Sequence, residues 1–179
     1  MTDPRFWEWL WLMDNEIRSL MPLVYYHVWD NYPVPKYNKP FYESNDLIVS
    51  ISKLTHDIVN KAAPSVKNIY LPHAVNSEIF KRSPKDVIKN FRKDHDFGDK
   101  FLVLWNNRNA KRKLSGTVIV WFKSFLDKIG HDKAILIMHT DPKDQYGQDL
   151  NALLHDYEIT DGQVLISRNK LAPEHLAML

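Results

Sequence analysis

The sequence predicts an α/β chain: two small, mostly parallel three-stranded sheets in series, each covered by helices. Three observations carry this. Short apolar runs at 47–51, 101–105 and 134–138 read as strands buried on both faces. Segments with apolar residues at helical spacing separate them. The alternation recurs in both halves of the chain, which is the pattern of Rossmann-like parallel sheets joined by crossover helices.

Composition agrees. Of 179 residues, 44% are hydrophobic and 26% charged, enough to build a core and too apolar for disorder. The formal net charge is +2, and neither half is an acidic or basic tail, so nothing global points to a nucleic-acid partner. There is no cysteine, which excludes disulfides, thiolate catalysis and cysteine metal sites, and permits a reducing compartment.

The elements follow in order. Asp3 can cap a helix, and Pro4 suits its first turn. That helix is expected to run to about Leu20. Its apolar part, 6–13, is too short to cross a membrane and contains Glu8. It also lacks the basic start and small-residue cleavage site of a signal peptide. Glu8, Asp14 and Glu16 give its polar face the wrong sign for anionic lipid. It reads as packed on a core, with peripheral membrane contact left open and a cytoplasmic location expected.

Residues 23–29 are rich in strand formers. Residues 31–40 hold Pro33, Pro35 and Pro40 and read as an ordered loop. After the strand at 47–51, Ser52 caps a helix with Leu54, Ile58, Val59 and Ala62 on one face. A third strand is expected at 67–71. The division is then 1–75 for the first domain, 76–100 for an interdomain connection, and 101–179 for the second domain. Within the connection, a helix starts near Pro84 with Val87, Ile88 and Phe91 inward. The second domain repeats the rhythm. A strand at 101–105 leads to a basic turn and a helix with Val118, Phe122, Phe125 and Ile129 in line. A strand at 134–138 is followed by a helix marked by Leu150, Leu153, Leu154 and Tyr157. A strand at 164–167 and a helix from Pro173 complete it.

Familiar phosphate motifs are missing. The five glycines, at 98, 116, 130, 147 and 162, make no G-x-G-x-x-G, Walker loop or nucleophile elbow. The eight histidines show no metal-ligand spacing, so no metal is expected.

One segment stands out. Arg108, Lys111, Arg112 and Lys113 lie between a predicted strand and a predicted helix. Ligands of open parallel sheets bind beyond the carboxyl ends of the strands. Helix N-terminal amides favour an anion, arginine adds bidentate geometry and lysine a point charge. Cations at a helix start oppose its dipole, by up to about 1 kcal/mol each, unless an anion offsets them. On charge alone, a solvated basic turn or a weak nucleic-acid patch fits the same residues. The second cluster is His27 and Asp30, closing the first strand, where they are placed for substrate contact or proton handling. A histidine in an apolar run also fits a core role, and His73 reads as structural.

Four stretches in sequence order together resemble the group 1, family 4 type of retaining glycosyltransferase with the GT-B fold. Leu23-Val-Tyr-Tyr-His-Val-Trp-Asp30 is similar to the strand that ends in a His/Asp pair in the acceptor domain. Leu47-Ile-Val-Ser-Ile-Ser-Lys53 is similar to the strand and helix start near that domain's end. Tyr70-Leu-Pro-His-Ala-Val-Asn76, with Ile79-Phe80, is similar to the exit into the second domain. Residues 101–113 are similar to the first strand and donor-phosphate loop of that domain. There the family sets an arginine and, five residues on, a lysine against the sugar nucleotide's diphosphate. Arg108 and Lys113 match in type and spacing. The family's usual glycines after the exit-turn histidine and after the phosphate lysine are Ala74 and Leu114 here.

The resemblance implies an incomplete GT-B fold and transfer of a hexosyl group from a nucleotide sugar to a glycan, lipid or protein acceptor. It places the diphosphate on Arg108 and Lys113, with Asn109 and Arg112 beside them, and needs no metal and no cofactor beyond the co-substrate. His27 and Asp30 become the acceptor-side catalytic candidates, facing the transferred sugar. Family members run to about twice this length. The paired-glutamate motif that reads the donor lies outside these residues, so the 179 residues alone are expected to bind nucleotide weakly and to transfer no sugar. The competing expectation is a non-catalytic nucleotide-binding or protein-interaction module of the same fold.

Overall fold

The computed structural model describes residues 3–159 and 161–178. The chain divides into two compact units, Met1–Val75 and Asn76–Leu179. Each contains a three-stranded, wholly parallel sheet.

In the first unit, β1 (Val24–His27), β2 (Leu47–Ser50) and β3 (Asn68–Tyr70) pair in sequence order. The central strand β2 is the most buried, as a strand paired on both edges should be. Tyr42, Ile48, Val59, Ala62 and Ala63 form the core. The helix α4 (Lys53–Ala62) starts as expected: Ser52 takes extended geometry and its hydroxyl accepts from the Thr55 backbone N–H at 3.0 Å.

The N-terminal helix departs from expectation. In place of one helix to Leu20 there is a 3₁₀ turn (Pro4–Trp7), α1 (Glu8–Trp11) and α2 (Asp14–Leu20). Two anchors flank the break. Trp11 is buried, donating its indole N–H to the Pro4 carbonyl at 2.7 Å and meeting the Tyr25 ring edge-on. Arg18 reaches across to Asp46 at 2.8 Å. A further short helix, α3 (Lys39–Glu43), begins where the sequence read only loop. Pro40 sits in its first turn, where proline starts a helix instead of breaking one.

In the second unit, β4 (Phe101–Asn106), β5 (Ala134–His139) and β6 (Val164–Ser167) again pair in order. Strand alternation divides β5 between two cores. Ala134, Leu136 and Met138 face α6 (Ser115–Ile129) and α7 (Leu150–Asp156). Ile135 and Ile137 face Phe97, against which Phe91 packs from α5 (Lys85–Asp94). Residues 76–100, expected to be a connection, therefore fold with this unit. Within α5 only Phe91 joins the packing; Val87 and Ile88 are exposed. In α6 the buried face is Ile119, Phe122 and Leu126, while Phe125 and Ile129 are exposed. Its apolar arc is broad enough to hold both sets, opposite a polar face of Lys123, Ser124, Asp127 and Lys128, and contact with β5 decides which part of the arc is buried. A short helix α8 (Pro173–Leu176) follows β6.

Candidate functional site

The carboxyl ends of β4, β5 and β6 stand in one row. Asn106 is in register with His139, and His139 with Ser167. Two loops that leave this row build the site, one after β4 and one after β5.

The first holds the basic residues. Arg108 is exposed, and Lys111–Lys113 form a single 3₁₀ turn before α6. Among the described residues, the side chains of Lys111, Arg112 and Lys113 have no hydrogen bond or ion pair. Leu114 joins the turn to the helix at φ 55° and ψ 37°. That is the left-handed region, where glycine is free of strain and leucine is not. The position where the resembling family uses glycine is thus one where the backbone asks for it. Ala74, the other such position, does not lie at positive φ.

Asn109 corrects an expectation. The resemblance puts it beside the diphosphate, yet it is wholly buried. Its amide donates to the Gln148 carbonyl at 2.7 Å, and its side-chain oxygen accepts from Ser115 at 2.6 Å. It ties the two loops together and does not face a ligand. Arg112 is exposed and Lys113 half-buried.

The second loop, 140–149, was not recognised from sequence. Asp144 grips Arg108 with two bonds, 2.6 Å to Nε and 3.2 Å to Nη2. The Arg108 guanidinium also lies 4.8 Å from the centre of the Tyr146 ring. Arg108 holds the Asp144 carboxyl below its usual value, with help from the Tyr146 backbone N–H, and Asp144 in turn raises Arg108. The Lys111 N–H donates to the Tyr146 carbonyl at 3.0 Å. The Gly116 N–H, at the start of α6, donates to the Gln148 side chain at 3.1 Å. Gly147 lies so close to the Asn109 backbone carbonyl that a Cβ there would collide with it. At the row itself, His139 Nδ1 lies 2.9 Å from the Ser167 hydroxyl, and the Thr140 hydroxyl is buried without a partner among the described residues. A signal for this loop existed. The rule that pointed to the end of the first strand applies equally to the next strand, and Asp-Pro-Lys-Asp-Gln-Tyr-Gly-Gln, 141–148, is plainly a polar loop.

In the first unit, the structure does not bring His27 and Asp30 together. His27 is fully buried. Its Nε2 lies 2.9 Å from the Tyr42 hydroxyl, and its ring packs against Tyr25 and Tyr42. Burial pulls its pKa down to about 4. It is a core histidine and cannot touch an acceptor. Asp30 lies three residues past the strand, exposed and without a partner among the described residues. His73 accepts or donates one bond with the Tyr26 hydroxyl at 2.9 Å, in keeping with a structural role. Among the described residues, no group of three or more metal-ligating side chains is clustered, and no helix is long and apolar enough to cross a membrane.

Compared with protein-family models and with curated proteins, the chain matches none. Solved structures do match. Alr3699/HepE from Anabaena, in complex with UDP, is similar with TM-score 0.70 at 14% identity, over 94% of this chain and 48% of that one. An α,α-trehalose 6-phosphate synthase from Burkholderia multivorans matches with TM-score 0.65 at 12% identity, over 93% of this chain and 46% of that one. A UDP-forming α,α-trehalose-phosphate synthase from Burkholderia xenovorans matches with TM-score 0.57 at 14% identity, over 92% and 46%. The chain spans about half the length of the structures it matches. At such identities the likeness is one of fold: two Rossmann-like layers resembling an incomplete GT-B arrangement.

Proposed function

We propose that the second unit binds the diphosphate of a nucleotide sugar, with UDP as the nucleotide, and that the chain is part of a glycosyltransferase. One observation carries the reading. A basic loop, three of whose cations have no partner among the described residues, leaves the carboxyl edge of a parallel sheet just before a 15-residue helix, in a fold shared with a structure that holds UDP. Arg108 and Lys113 would neutralise charge as it develops on the departing diphosphate, an electrostatic role that lowers the barrier directly. The finer reading is a retaining, group 1, family 4 type hexosyl transfer to a glycan, lipid or protein acceptor, with Asp30 as the acceptor-side residue. His27 drops out of that role because it is buried. No metal is called for in this scheme, since the cations supply the charge.

The test is calorimetric titration with UDP, GDP, ADP and their sugars. UDP should bind, and Arg108→Ala or Lys113→Ala should each weaken it by about 1.5–3 kcal/mol, the worth of one charge-assisted hydrogen bond. Lys111→Ala should cost less. Equal losses from all three would mean a diffuse basic patch. A radiolabelled sugar-transfer assay separates the remaining alternatives. These 179 residues should bind UDP and show neither transfer nor donor hydrolysis, and turnover that disappears with Arg108→Ala would overturn the expectation that they are inactive alone. Transfer by a longer chain that contains them, lost with Arg108→Ala, distinguishes the transferase from a non-catalytic nucleotide-binding module.

A further inference from the structure

Arg108 does not approach its ligand as a free side chain. Its Nε and Nη2 are taken by Asp144, and Tyr146 covers one face of the guanidinium. Nη1 has no partner among the described residues. The two ends of the pair differ sharply in exposure: the Asp144 side chain is 12% exposed and that of Arg108 61%. The carboxylate is built into the protein and the cation projects from it.

The carboxylate is also fixed by its own loop. Asp144 Oδ1 accepts from the Tyr146 N–H at 2.9 Å, and the Asp144 carbonyl accepts from the Gly147 N–H at 2.9 Å. That turn is joined to the basic loop through Lys111 and Tyr146, through Asn109 and Gln148, and by the close approach of Gly147 to Asn109. Asp144 is therefore anchored in the same rigid piece as the phosphate loop.

We propose that Asp144 and Tyr146 are positioning residues for the phosphate-binding arginine. Asp144 occupies one two-pronged edge of the guanidinium and Tyr146 one face. Together they leave the Nη1 end as the edge offered to a phosphate. This rests on the reading of Arg108 as a diphosphate ligand. An arginine held in this way has already lost the rotamer freedom that binding would otherwise take from it. A carboxylate beside an arginine also weakens its pull on an anion, so two opposite outcomes are physically available. If Asp144 only competed with phosphate, deleting it would tighten binding. The anchored geometry assigns it the other sign.

The experiment compares binding of UDP and of uridine, which lacks the phosphates, to the full chain and its variants, by calorimetry. Asp144→Ala should weaken UDP about three- to tenfold and leave uridine unchanged. Asp144→Asn, which keeps the shape, should fall between it and the parent, and Tyr146→Leu should cost about two- to fivefold. In an Arg108→Ala background the Asp144→Ala effect should vanish, because Asp144 acts through Arg108. A ¹⁵N spectrum supplies a readout without ligand: the Arg108 Nε–H signal should be protected from exchange in the parent and lose that protection in Asp144→Ala. Tighter UDP binding by Asp144→Ala, equal losses for UDP and uridine, or an undiminished effect without Arg108 would each overturn the proposal while leaving the phosphate site standing. Failure of the parent to bind UDP, with the Nε–H still protected, would overturn the phosphate site itself and the proposal with it.

Discussion

His27 shows how one residue changes meaning with its surroundings. In the sequence it closes a strand, where chemistry is often found. In the fold it has no contact with water, and its ring is held among Tyr25 and Tyr42. Burial lowers its pKa from 6.5 to about 4. The sign of the consequence follows from proton counting. Between those two values the unfolded chain takes up a proton that the folded chain refuses, so stability falls as pH drops from 6.5 towards 4. The loss from this one group should approach about 3 kcal/mol. Urea unfolding across that pH range should show it, and the slope should flatten in His27→Gln; an unchanged slope would mean the ring is not buried neutral. Leu114 makes a second residue-scale case. A leucine in the left-handed region costs about 1–2 kcal/mol, against about 0.5–1 kcal/mol for the extra chain entropy of glycine. Leu114→Gly should therefore raise stability by about 0.5–1 kcal/mol in the same assay, and a clear loss would show that the exposed leucine has a packing role.

At the scale of elements, the six strands stand within two residues of their expected ends, because each is an apolar run with a turn signal on either side. Helices were read less well where tertiary anchors compete with local preference. The break between α1 and α2 lies between Trp11 and Arg18, whose partners Tyr25 and Asp46 are far along the chain. Caps behave more locally. Ser52→Ala removes the bonds to the Thr55 N–H and hydroxyl, and should cost about 1 kcal/mol in thermal or urea unfolding. The junction of the two site loops is governed by close approach. Gly147→Ala would force a Cβ into the Asn109 carbonyl and push the loops apart. Nucleotide affinity should fall along with stability, and retained affinity would show that the loop carrying Asp144 does not help to hold Arg108.

For the molecule as a whole, charge is nearly balanced, 24 basic against 22 acidic side chains, and the basic turn is a local feature. Salt dependence then separates a nucleotide site from a nucleic-acid surface. Polyanion binding falls steeply with salt in proportion to the phosphates neutralised. Titration with single-stranded RNA at physiological salt should show no measurable binding while UDP binds. RNA binding with a steep salt slope, abolished by Arg112→Ala and Lys111→Ala together, would reverse the assignment. The deep core of the second unit supplies a control. Leu136 is fully buried between α6 and α7, so Leu136→Ala should cost about 2–5 kcal/mol in urea unfolding, whatever the ligand.

The sequence by itself determined the strands, the mostly parallel character of each sheet and the place of the basic turn. These depend on short-range patterns: apolar runs, helical spacing, and the rule that ligands gather at strand carboxyl ends. Only the tertiary structure decided which side chains at that edge are available. Asn109 and Arg108 are neighbours in the chain, and both lie in the same basic turn. Yet one is sealed under Gln148 and Ser115, and the other projects from Asp144. The partners lie 36 and 39 residues away in the sequence for Asp144 and Gln148. No local pattern encodes a contact across that separation. It exists because β4 and β5 pair in parallel and bring their outgoing loops side by side.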